Sequence, residues 1–133
     1  MKAIHPMGKW LLVALAVPLA FVLMRTGVSA DAAISPTQAA TLIKERKNLQ
    51  LIDVRTPGEY ADGHLAGAKL IPLQEIAQRI SEIDKKKPVL LYCRTGHRSG
   101  SALKILQGQG FPEAKHIAGG INAWQAAGLP ITR

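Results

Sequence analysis

The chain has 133 residues, 17 of them Lys or Arg and 9 Asp or Glu, with one Cys, two Trp, two Tyr and two Phe. That length holds one domain and not two. The cations are scattered apart from Lys85-Lys86-Lys87, which reads as a solvated turn, and the aromatics are too few for a base-stacking surface, so composition excludes a nucleic-acid partner.

The first thirty residues stand apart from the rest. Lys2 and Lys9 bracket a basic start, Trp10 to Met24 (WLLVALAVPLAFVLM) carries no charge, and Val28 and Ala30 flank Ser29. Basic head, short apolar run and small residues form the pattern of a secretory signal peptide over residues 1–30, cut after Ala30. The run falls short of the roughly 20 residues of a spanning helix, and Pro18 interrupts it. The alternative is an uncleaved membrane anchor, which Arg25 near the cut would suit. Either way the positive start favours export of the remainder of the chain. A bacterial periplasm is the expected compartment, with membrane contact only if the segment is retained. Residues 31–133 form the folded part, with 14 basic and 9 acidic residues.

From Asp31 onward, strands and helices alternate. AAIS is a short strand. Ser35 caps a helix with Pro36 in its first position, and Ala39, Ala40, Leu42 and Ile43 supply its apolar face through Arg46. Leu49 to Val54 (LQLIDV) is a compact strand. Thr56, Pro57 and Glu59 form a capping box at the start of a short helix. AKLIP is a strand stopped by Pro72. Leu73, Ile76, Ala77 and Ile80 recur at helical spacing. Pro88 to Tyr92 (PVLLY) is apolar throughout, as for a strand covered on both faces. Ser99, as cap, opens a helix to Gln109, and Gly108 and Gly110 lie at its end. AKHIA is the last strand, and Gly119-Gly120 turns into a helix containing Ile121, Ala123 and Trp124. The alternation predicts an α/β domain with a small, mainly parallel central sheet flanked by helices. In such sheets the site lies at the carboxyl ends of strands, here Asp53-Val54-Arg55 and Tyr92-Cys93.

An exported chain with one cysteine holds a thiol that is partnered with another molecule, free and reactive, or buried and inert. Cys93 follows the apolar strand directly, and the loop Arg94 to Arg98 that leads to the next helix is short. Such a loop wraps its N–H groups round a central point and forms an anion nest. The nest, with Arg94, Arg98 and His97 near it, favours thiolate over a thiol whose ordinary pKa is about 8.5. Cys93 therefore reads as an activated nucleophile. His97 reads more simply as a loop surface residue, His64 and His116 as structural, and Trp124 as core. One cysteine without a tight His/Asp/Glu cluster gives no metal site.

CRTGHRS (Cys93 to Ser99) resembles the active-site loop of rhodanese-like sulfurtransferases. LIDVRTPGEYADGHLAGAKLIP (Leu51 to Pro72) resembles the family's first signature, PVLLYCRTGHRSGSAL its catalytic strand, loop and helix, and GFPEAKHIAGGINAW its closing strand, double glycine and tryptophan-bearing helix. The likeness runs over about residues 33 to 131 and implies the rhodanese-like three-layer fold. It implies that Cys93 attacks the outer sulfur of a donor such as thiosulfate, that sulfite leaves, and that the resulting persulfide passes its sulfur to cyanide, a thiol or another protein. The implied substrate-binding loop is Arg94, Thr95, Gly96, His97, Arg98 and Ser99, with Arg98 the favoured cation. Asp53 and Arg55 are expected to brace the loop or pair locally, Arg55 with Glu59. No cofactor is implied, and nothing in the chain demands a partner subunit, so a monomer is expected.

Two rival readings differ in testable ways. Phosphatases and arsenate reductases of related fold have five residues between cysteine and arginine. Here four separate Cys93 from Arg98, and Ser99 stands where the longer loop needs its arginine. A persulfide carrier or partner-binding module without thiosulfate turnover would keep Cys93 but load only from a protein donor.

Overall fold

The computed structural model describes residues 32–133. The proposed signal or anchor of residues 1–30 lies outside them. Five parallel strands form one sheet: β1 (Ala33–Ile34), β2 (Gln50–Asp53), β3 (Lys69–Leu70), β4 (Val89–Tyr92) and β5 (Ala114–Ile117), in the order β1-β5-β4-β2-β3. The helices are α1 (Pro36–Glu45), α2 (Pro57–Asp62), α3 (His97–Gly108) and α4 (Gly120–Ala126).

Sequence chemistry sets most of the boundaries. At Ser35 and at Thr56 the hydroxyl accepts from the N3 amide, and the N3 side chain (Gln38 or Glu59) accepts from the cap amide. Each box satisfies two N–H groups that a helix start otherwise leaves open. Proline follows each cap, where its missing N–H costs nothing.

The core has two halves, one on each face of the sheet. Val89, Leu91 and Cys93 point to one face and pack with Ile52, Ile76, Ala102, Leu106 and Phe111. Leu90 and Tyr92 point to the other, with Ile117, Ile121 and Trp124. All of β4 is buried, which is why its sequence shows no polar alternation. The architecture is the expected three-layer α/β fold with a small parallel sheet between helices.

Two expectations need correction. The apolar spacing from Leu73 to Ile80 gives no α-helix but two 3₁₀ turns, Leu73–Glu75 and Ile80–Glu82. Arg79 bridges the two with ion pairs to Glu75 and Glu82 at 3.1 and 2.7 Å, and buried Ile76 and Ile83 anchor the segment to the core. Ser99 does not cap α3. The helix starts two residues earlier with Gly96 as cap, and Ser99 is its third residue, its hydroxyl turned inward.

Strand order places the chemistry. From β2 the sheet continues to β3 on one side, while from β4 it continues to β5 on the other. The connections diverge between β2 and β4, and a crevice opens at their carboxyl ends. Asp53 and Tyr92 are register partners there, and Cys93 is the next residue.

Candidate active site

Cys93 has no exposed surface. The chain turns through Arg94, Thr95 and Gly96 and enters α3 at His97. The turn requires glycine twice over. Gly96 has φ of +102°, and a Cβ there would sit 3.2 Å from the Gly119 amide nitrogen.

The carbonyls of the loop are held from behind. Ile121 N–H donates to the Cys93 carbonyl (2.8 Å) and Asn122 N–H to that of Arg94 (3.1 Å), both from the first turn of α4. A trans peptide points its N–H opposite to its carbonyl. Fixing the Arg94 carbonyl on α4 therefore aims the Thr95 N–H at the sulfur. Gly120 allows this approach: a Cβ on it would lie 2.5 Å from the Cys93 oxygen and from the Arg94 carbonyl carbon and oxygen.

The N–H groups converge on Cys93 Sγ. Gly96 N–H donates at 3.0 Å, and the Ser99 hydroxyl lies at 3.5 Å. Burial pushes the Cys93 thiol up. The Ser99 hydroxyl and the amides of Ser99, Gly96 and Thr95 outweigh it, and the net shift is downward. Hydrogen bonds to the charged form thus favour thiolate over thiol. The local cations contribute less than the sequence suggested.

Arg98 in particular is engaged elsewhere. It makes a bidentate pair with Glu59, Nη1 to Oε1 at 2.7 Å and Nη2 to Oε2 at 2.9 Å. The guanidinium, with the Thr56 amide and hydroxyl, holds the Glu59 carboxyl down at about 2. Arg94 and Thr95 are exposed on the rim, as is His97, a surface residue as expected. The Arg94 guanidinium has no ion-pair partner among the described residues, and it lines a cleft of about 230 Å³ with Asn122, Gln125 and Arg133.

Asp53 and Arg55 do not touch the sulfur. They pair with each other, which corrects the expected Arg55–Glu59 contact. Arg55 Nη2 reaches Asp53 Oδ2 at 2.7 Å and the Gly63 carbonyl at 2.7 Å, and Nε reaches Oδ1 at 3.0 Å. Glu59 is unavailable because its two oxygens serve Arg98 and Thr56. The Arg55 guanidinium also sits 5.6 Å from the centre of the Tyr92 ring, so the pair ties α2 to the strand end that precedes Cys93.

His64 is structural, as expected. It stacks on Tyr60 at 3.7 Å, and its Nδ1 lies 2.8 Å from the Tyr60 carbonyl. His116 Nδ1 lies 2.8 Å from Ser99 Oγ, one residue removed from the sulfur.

With a buried cysteine placed at the end of a central parallel strand, the chain can be set beside known proteins. The Rhodanese-like domain model matches residues 35–127. The chain belongs to the rhodanese-like family. It is 40% identical over 89 residues to a protein of Allochromatium vinosum named "Sulfurtransferase", covering 67% of this chain and 83% of that one. It is 32% identical over 91 residues to the Thiosulfate sulfurtransferase GlpE of Pseudomonas putida, covering 68% and 83%. Among solved structures it resembles a rhodanese-related protein of Thermoplasma volcanium, with TM-score 0.70 and 27% identity over 76% of this chain and 97% of that one. The rhodanese-like sulfurtransferases are thus its relatives in both sequence and fold.

Proposed function

We propose that this rhodanese-like protein moves sulfane sulfur from thiosulfate, or a similar small anion, to a thiophilic acceptor through a Cys93 persulfide. The observation that carries the reading is the set of groups around Cys93 Sγ, with the Gly96 N–H at 3.0 Å and the Ser99 hydroxyl at 3.5 Å, which favours thiolate over thiol. The four residues between Cys93 and Arg98, one fewer than in the phosphatase loop, support sulfur over phosphate as its cargo. Cys93 thiolate attacks the outer sulfur of thiosulfate. The Sγ–S bond forms as the donor's S–S bond breaks, and sulfite departs with the bonding pair. The persulfide keeps one negative charge and inherits the same N–H groups. Cyanide or a thiolate then takes the outer sulfur and returns the Cys93 thiolate. Arg94, on the rim without an ion-pair partner among the described residues, is the cation free to meet the donor's sulfonate end, with Thr95 and His97 beside it. Arg98 serves by fixing the α3 start to Glu59. Asp53 and Arg55 support the site from the neighbouring strand end.

Purified protein incubated with thiosulfate is expected to gain the mass of one sulfur atom and to lose it on addition of cyanide, read by intact mass spectrometry. Loading only from a protein persulfide donor would instead make it a carrier, and phosphate release from an aryl phosphate without sulfur uptake would overturn the reading.

The reading extends to location. The basic head, apolar run and small residues of 1–30 support export to a bacterial periplasm. The expected result of an N-terminal mass measurement on the mature protein is a chain beginning at Asp31. A chain retaining Trp10 to Met24 would make it a membrane-anchored protein.

A further inference from the structure

Ser99 Oγ has one proton and three neighbours able to take it. Cys93 Sγ lies at 3.5 Å, the Gly96 carbonyl at 3.3 Å and His116 Nδ1 at 2.8 Å. Geometry alone would give the proton to the nearest, His116. In that arrangement Ser99 presents only lone pairs to the sulfur and opposes a thiolate. In the reverse arrangement His116 Nδ1–H donates to Ser99, and the Ser99 proton is free for the sulfur, where a full negative charge makes the stronger acceptor.

We propose that His116 is a positioning residue for the sulfur chemistry: protonated on Nδ1, it donates to Ser99 Oγ and so turns the Ser99 hydroxyl onto Cys93 Sγ. The inference rests on the persulfide reading above and adds to it a member from β5. The side chain is placed for this by strand alternation. Ala114 faces the half of the core that contains Cys93 and Ile117 faces the other, so His116 faces α3. Gly100 of α3 faces the ring, where an added Cβ would stand in ordinary contact with His116 Cε1 at 3.7 Å. The charged groups on the surrounding elements point elsewhere: Arg98 holds Glu59, His97 and Lys104 are exposed, and Lys115 is on the opposite face of β5. Its strand partners are Ala33 and Leu91. Burial disfavours the imidazolium, so near neutral pH the state invoked is the neutral Nδ1–H tautomer, which costs no buried charge.

Two measurements test this. In wild-type protein, ¹⁵N shifts of the His116 ring are expected to report a proton on Nδ1; a neutral Nε2–H tautomer overturns the proposal. The second is the pH dependence of Cys93 alkylation in wild type, His116→Leu, His116→Asn and Ser99→Ala. His116→Leu is expected to lower the thiolate fraction about tenfold on the acid side of the titration. His116→Asn, which can place an N–H where Nδ1 was, is expected to retain it. Adding His116→Leu to Ser99→Ala is expected to change nothing further, because the effect passes through Ser99. A wild-type titration curve in His116→Leu, or an equal loss in His116→Leu and His116→Asn, overturns the role of His116 while the depressed wild-type curve leaves the persulfide reading standing. An ordinary thiol curve in the wild type would sink the persulfide reading itself.

Discussion

Cys93→Ala is expected to abolish sulfur uptake from thiosulfate and transfer to cyanide, and to leave the fold in place. The sulfur is the chain's only thiol, and no hydroxyl near it can form a persulfide. The substitution keeps a small apolar group at a site with no exposed surface, in the half of the core lined by Ile52, Leu91 and Ala102. Loss of one buried atom there costs about 1 kcal/mol. Mass spectrometry after thiosulfate treatment and a denaturant titration measure the two effects separately. Transfer at the wild-type rate in the variant would remove Cys93 from the reaction altogether.

Asp53→Ala is expected to destabilise the domain by about 3–5 kcal/mol, because it strands a buried guanidinium. Asp53 is 0% and Arg55 5% exposed, and the carboxylate accepts from the Arg55 amide (2.9 Å) as well as from the side chain. Burial disfavours the Arg55 charge, and the carboxylate together with Tyr92 more than restores it. The loss is a large fraction of the roughly 5–15 kcal/mol that a domain has in total. A shifted urea midpoint at unchanged slope is the expected signature. Asp53→Ala combined with Arg55→Leu should recover part of the loss, since no unpaired charge remains. If the single and double variants are equally unstable, packing and not the stranded charge sets the cost.

The parts of this molecule that were legible in the sequence are those fixed by local chemistry. The cap at Ser35 and the box at Thr56 each lie within four residues, and their outcome follows from residue type; the reciprocal bond from Gln38 at the first was added by the structure. The uninterrupted apolar run of β4 and the glycine-bearing loop after it are likewise short-range signals, and they located Cys93 and its amide ring. What was misread depends on residues brought together from far along the chain. Arg98 and Glu59 are 39 positions apart, and only the adjacency of β4 and β2 makes them partners. The same adjacency removes Glu59 from the reach of Arg55. The hydrogen bond between His116 and Ser99 leaves no local signal in the sequence; it exists only because β5 lies beside β4. The stretch from Leu73 to Ile80 failed for another reason. Helical spacing marks which residues face the core, and a pair of 3₁₀ turns can satisfy the same facing over so short a span.

The backing of the loop by α4 gives the protein a built-in optical gauge. Trp124 lies on that helix, 6% exposed, and its indole N–H donates to the Pro130 carbonyl at 2.9 Å. The other indole in the chain is Trp10. In a chain beginning at Asp31, or with Trp10 replaced by phenylalanine where residues 1–30 are retained, emission arises from Trp124 alone, so displacement of the helix that clasps the Cys93 and Arg94 carbonyls registers as a change in colour or intensity. Any movement of that helix on sulfur loading can then be read in real time on unlabelled protein.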